Sequence, residues 1–148
     1  MKHQIEELIQ ALQDDNWRVR QSSVWALDKI GPDATKQAVL HLILALQQDD
    51  NQDGRRSAVR ALGESGPDAT KQALPALIQV LLDRNWSVRS SGAEALGNIG
   101  PDAKQAVPHL ILALQDDKSW VRKSAAEALG KIGTPEALEA VSDSNLWH

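Results

Sequence analysis

The chain has 148 residues, with 16 lysines and arginines against 20 aspartates and glutamates and a formal net charge of −4. That surplus is split evenly between the two halves, so no basic stripe is available to track a phosphate backbone, and no nucleic-acid partner is expected. Cysteine, phenylalanine and tyrosine are absent, which excludes disulfides, thiolate metal sites and cysteine nucleophiles and leaves a core of Leu, Ile, Val and Ala.

The first predicted helix is QIEELIQALQDD, where Ile5, Leu8, Ile9 and Leu12 form one apolar stripe. A second runs from Asn16 in NWRVRQSSVWALDKIG, with Asn16 as N-cap, Gly31 as a left-handed stop and Pro32 preventing continuation. The pair then recurs. QAVLHLILALQQDD repeats the stripe as Val39, Leu42, Ile43 and Leu46, and DGRRSAVRALGESG runs from Asp53 to Gly66. QALPALIQVLLD precedes NWSVRSSGAEALGNIG, capped by Asn85 and stopped by Gly100, and QAVPHLILALQDD precedes KSWVRKSAAEALGKIG, which ends at Gly133. Asp14, Asp49, Asp83 and Asp116 stand just before the second helix of each pair, where acceptors complement the positive helix end. Thr134-Pro135-Glu136 opens a fifth first-type helix to about Val141, and Ser142 to Asn145 reads as a frayed tail carrying Leu146 and Trp147.

The stop glycines lie 35, 34 and 33 residues apart, a period that signals a stacked all-α solenoid in which each pair buries its apolar face on its neighbours. A single domain over 1–148 is expected, with approximate repeats 1–33, 34–68, 69–102 and 103–133 and a terminal half repeat 134–148. The first helix of a pair is called A and the second B. No signal-like N-terminus or long uncharged apolar run occurs, so no membrane association is expected and a cytoplasmic setting is the default.

The pattern D-D-N-W-x-V-R-x-S-x-x-A-L-G-x-I-G-P-D-A, preceded by A-V-P-x-L-I-x-A-L, resembles the HEAT-like repeats of the phycobilisome-lyase type over residues 3 to 141. The resemblance implies a right-handed α-solenoid, a superhelix of antiparallel HEAT-like helix pairs whose B helices line the concave side. It also implies several functions, because such repeats occur in bilin lyase subunits, phycobilisome-degradation factors, sensor regions and plain scaffolds. The second copy departs from the pattern at Gln52, Asp53 and Gly54 and carries one extra residue after Leu46, which reads as natural drift rather than consensus design. Gly54 stands where the other copies place Val19, Val88 and Val121, so repeat two is expected to be the weak link.

At about 100° per residue, Val19, Ser23, Ala26, Leu27 and Ile30 share the buried side of the first B helix, and Trp17, Arg18, Gln21, Trp25 and Asp28 the opposite arc. The same arc holds Asp53, Arg56 and Arg60, then Ser87, Ser90 and Glu94, then Trp120, Lys123 and Glu127. These columns vary between copies while the core columns do not, which is where a repeat protein writes specificity. Candidate partner-binding residues are therefore Trp25, Arg18, Gln21, Arg56, Arg60, Glu94, Trp120, Lys123 and Glu127, with Trp25 the leading anchor. Trp17 and Trp86 read instead as covers for the adjoining loops.

A column of Arg20, Arg55, Arg89 and Arg122, three of which follow an Asp-Asp pair at constant spacing, reads as a structural ion-pair ladder with Asp14, Asp49, Asp83 and Asp116. His3, His41, His109 and His148 lack the paired His-Glu motifs of a di-iron HEAT-like hydroxylase, so no metal, cofactor or catalytic residue is expected. The resulting expectation is a non-catalytic scaffold binding a protein or peptide on the exposed B-helix face, as a monomer or weak homodimer. The alternative is a subunit of a bilin lyase or phycobilisome-handling factor.

Overall fold

The computed structural model describes residues 2–144, so the predicted tail residues Asn145, Leu146 and Trp147 lie outside it. The described residues form helices α1 (Lys2–Ala11), α2 (Trp17–Ile30), α3 (Pro32–Gln37), α4 (Val39–Gln48), α5 (Gln52–Gly63) and α6 (Pro67–Gln79), followed by α7 (Trp86–Ile99), α8 (Val107–Ala113), α9 (Ser119–Ile132) and α10 (Pro135–Asp143). Two 3₁₀ segments, Val80–Leu82 and Gly100–Ala106, join them, and no strand occurs among the described residues. The B helices are α2, α5, α7 and α9. The chain divides into two compact units, Met1–Ala76 and Leu77–His148.

In the first unit α1 packs on α2, α2 on α5 and α4 on α5. Leu27, Leu42, Val59 and Leu62 are fully buried there, each stabilising the stack by roughly 1.5–3 kcal/mol. In the second unit α7 and α8 pack on α9, and α10 lies against both α8 and α9. Val88, Leu96, Leu110, Val121 and Leu129 form its sealed core. The B helices α7 and α9 approach closely because Gly97 has no side chain: a Cβ there would stand 2.8 Å from the Ala128 Cα. Ser90, predicted on the exposed arc, is instead buried in this junction, its hydroxyl 2.7 Å from that of Ser124.

Each B helix starts from an aspartate turn. Asp14 accepts from the Asn16 N–H at 2.8 Å, Asp49 from Asn51 at 2.9 Å, Asp83 from Asn85 at 2.9 Å and Asp116 from Lys118 at 3.0 Å. The next residue type then caps the helix: Asn16 accepts from the Arg18 N–H, Asn51 from Asp53 and Asn85 from Ser87. Asn51 is thus the cap of α5, a role hidden in the sequence by the divergent Gln52-Asp53-Gly54. Lys118 begins α9 without a side-chain cap.

All four stop glycines have positive φ, at 120°, 90°, 78° and 71° for Gly31, Gly66, Gly100 and Gly133. Gly133, with ψ 14°, is the left-handed helical stop expected of all four; Gly31 and Gly100, with ψ of −172° and −144°, are not. The cause is the following residue. Proline excludes a helical ψ from the residue before it, and Pro32 and Pro101 follow those two glycines whereas Thr134 follows Gly133.

The PDATKQ segments that follow Gly31 and Gly66 are helical: one forms α3 and the other opens α6. The second A helix is accordingly broken at Ala38 (φ −93°, ψ 3°) into α3 and α4. Helix α10 continues through Ser142 and Asp143, two residues past the expected end, from a Thr134 cap that accepts the Ala137 N–H.

Candidate functional site

The arginine column is held by groups far apart in sequence. In the first unit Arg20 grips Asp49 with both Nε and Nη2 at 3.0 Å, reaches Asp50 at 3.3 Å, and donates through Nη1 to the Asp14 and Asp15 carbonyls. In the second unit Arg89 grips Asp116 at 2.8 and 3.0 Å, reaches Asp117 at 3.3 Å and donates to the Asp83 carbonyl. Each guanidinium therefore clamps its own helix start to the acidic pair of the next repeat. Arg55 donates to the Asp49 and Asp50 carbonyls and Arg122 to that of Asp116. Within a repeat the constant Asp-to-Arg spacing brings the arginine to backbone carbonyls; the carboxylate partner arrives from the following repeat.

Burial makes these pairs firm. The Asp49 side chain is 3% exposed, resting against Gly54 in the space a valine fills elsewhere. The hydrogen bond that it donates to Asp116 holds the Arg89 guanidinium above its ordinary pKa against the opposing effect of desolvation, and Asp49 acts likewise on Arg20. Burial pushes the Asp116 carboxyl upward, but bonds from Arg89 and from the Lys118 N–H outweigh it and leave the group below its ordinary 3.8.

The predicted binding residues stand as follows. Trp25 is 59% exposed on α2, and Arg56 and Arg60 are exposed on α5, the helix packed beside it. Arg18 lies over the Trp17 ring at 5.2 Å, Gln21 is half-buried, and Arg60 makes an exposed 3.5 Å contact to Glu64. In the second unit Glu94 and Glu127 are exposed, and Lys123 lies 5.1 Å over the Trp120 ring, itself 57% exposed. Such cation–π pairs hold the indole in place while leaving the other ring face to solvent.

The buried side of α2 needs two corrections. Val19, taken as its centre, is 37% exposed, whereas Val88 and Val121 at the same register are sealed. Val24, which the helix angle points away from Val19, is buried. A B helix is buried on two flanks, toward its A partner and toward neighbouring B helices, and α2 has a B neighbour, α5, on one side alone within its unit.

No group of three His, Asp or Glu residues able to hold a metal occurs among the described residues, and no described helix is long and apolar enough to cross a membrane. Residues 39–111 and 101–144 match the profile described as HEAT repeats, and residues 5–34 match that of the HEAT repeat. No curated protein matches the sequence significantly. Among solved structures, an engineered protein is 26% identical with a TM-score of 0.73, covering 95% of this chain and 68% of its own. The complex of CpcE and CpcF of phycocyanin lyase from Nostoc sp. PCC7120 is 25% identical with a TM-score of 0.73, covering 93% of this chain, which spans 62% of that one. Computationally designed armadillo repeat proteins for modular peptide recognition, at 19% identity and a TM-score of 0.65 over 97% of this chain and 75% of theirs, share the fold.

Proposed function

Because the chain belongs to the HEAT repeat family, we propose that it is a non-catalytic scaffold binding a protein or peptide on the exposed faces of its B helices, anchored by Trp25. One observation carries this reading. An indole 59% exposed in a chain with no Phe or Tyr is the side-chain type most often found as an interface anchor, large, rigid and apolar with one polar edge. Arg56 and Arg60 on the neighbouring helix add positive charge, which suits an acidic, amphipathic segment. Glu94, Trp120, Lys123 and Glu127 provide a second face of mixed charge on the other unit.

Selection of a displayed peptide library on the full chain tests this. Enriched peptides should be acidic with apolar anchors, and should lose affinity for Trp25→Ala and for Arg56→Glu with Arg60→Glu. Failure to enrich, or undiminished binding to these variants, removes the proposed site.

The likeness to the phycocyanin lyase complex supports a second reading, a subunit of a bilin-handling assembly. Mixing the purified chain with phycocyanobilin and following its absorption separates the two, since a scaffold leaves the spectrum unchanged.

A further inference from the structure

Helices α2 and α5 lie side by side, parallel and in register. The Arg20–Asp49 clamp ties the start of α2 to the turn ahead of α5, the two helices pack on one another, and their caps Asn16 and Asn51, like their stops Gly31 and Gly66, are 35 residues apart. Trp25 therefore stands level with Arg60, and Gln21 with Arg56. Equivalent positions meet in the same way in the second unit, where Lys131 Nζ donates to the Asn98 side-chain oxygen at 3.1 Å across α7 and α9. The Trp25 column stays open in repeats that have a B helix ahead of them: Arg60 and Glu127 are exposed although α2 packs on α5 and α7 on α9. Every exposed charge on α2 and α5 is cationic, on Arg18, Lys29, Arg56 and Arg60. Arg60 makes only its exposed 3.5 Å contact to Glu64, and Arg56 has no acidic partner among the described residues.

Resting on the peptide-binding reading of this face, we propose that the ligand crosses α2 and α5 as a polyproline II segment, with an apolar side chain on Trp25 and, three residues along, a carboxylate between Arg56 and Arg60. Distance selects the conformation. Packed helices stand about 8–10 Å apart, axis to axis, and a polyproline II chain returns a side chain to the same side every three residues, about 9.3 Å on. A β-strand falls short at about 6.8 Å and overshoots at about 13.6 Å. An α-helix returns a side chain after seven residues, at about 10.5 Å, but a short helix must be ordered at a cost that one indole anchor does not offset, whereas unfolded chains already populate polyproline II. Arg56 and Arg60, one turn apart with Cβ atoms about 5–6 Å from each other, can share one carboxylate. Gln21 offers its amide to the backbone carbonyls that such a chain leaves unpaired.

The probes are short proline-rich peptides, each with one leucine and one glutamate spaced two, three or four residues apart in both orders, and an alanine-rich helical peptide with a spacing of seven, titrated into the isotope-labelled full chain. Shifts of the Trp25 indole N–H and the Arg60 Nε–H report occupancy. Spacing three should bind about tenfold more tightly than two or four. Arg56→Glu with Arg60→Glu, both exposed sites, should abolish that preference, and lysine in place of the peptide glutamate should restore it. Equal affinity at every spacing, or tightest binding by the helical peptide, with Trp25→Ala still weakening it, overturns the period-three inference and leaves the peptide site standing. No shift at Trp25 with any probe overturns both.

Discussion

Arg89 and Asp116 meet through two parallel bonds of 2.8 and 3.0 Å although 27 residues separate them, joining the start of α7 to the turn before α9. Both side chains are largely shielded, at 14% and 12% exposure. Removing one partner strands the other, so Arg89→Ala should cost about 2–3 kcal/mol. Thermal melts of the variant check this, and an unchanged melting temperature would make the pair ornamental. Binding by the folded variant should persist.

The same pair sets an acid limit. Asp116 titrates below 3.8 in the folded chain, so its contribution is complete above the unfolded value and disappears as pH falls below 3.8 through the folded value. Urea midpoints measured from pH 5 downward should drop more steeply for the unsubstituted chain than for Arg89→Ala. Parallel acid limbs would contradict the assignment.

Gly54 was expected from sequence to leave burial unrealised, but the Asp49 carboxylate occupies the space. Gly54→Ala should therefore destabilise by about 1–2 kcal/mol, since the new methyl displaces a carboxylate fixed by Arg20 and by the Asn51 N–H. With Arg20→Ala already present, Asp49 is free to swing away and the same change should become neutral or stabilising by up to about 1 kcal/mol through helix propensity. A double-mutant cycle with no coupling would sink this account.

Gly97 and Gly130 occupy the same register in α7 and α9 and should respond oppositely to alanine. At Gly97 the methyl meets the Ala128 backbone, so a loss of about 1–3 kcal/mol is expected; at Gly130 no atom lies within 4 Å, so a gain of up to about 1 kcal/mol should appear. Denaturant midpoints of the two variants decide it.

Trp25→Ala should change stability by no more than about 0.5 kcal/mol while weakening a selected peptide by at least about 2 kcal/mol. A large drop in melting temperature would assign the indole to the stack.

Features set by neighbours along the chain were legible in the sequence. Asn16 and Asn85 announce their caps, and Gly31 and Gly133 their stops, because both depend on a few adjacent residues. Features set across repeats were not. That Arg20 would find Asp49, or that Ser90 would be buried, follows from how closely two B helices approach, and that distance is fixed by an absent side chain at a position such as Gly97. The ψ of Gly31 follows from Pro32, which draws that glycine away from the left-handed helical stop. Of the candidate binding residues, exposure could be read from helix angle for Trp25, Arg56 and Arg60, while the Arg18–Trp17 and Lys123–Trp120 stacks depend on rotamers that no periodicity encodes.

The bidentate grip of Arg20 on Asp49 spans 29 residues and that of Arg89 on Asp116 spans 27, yet the bond lengths agree to within a few tenths of an ångström. The intervening A segment, Gly31 to Asp49 in one repeat and Gly100 to Asp116 in the other, thus differs in length without changing the clamp at its ends. A lineage of such chains can grow by tandem duplication and tolerate single-codon gains or losses in every A helix, so long as the aspartate turn and its arginine are inherited together.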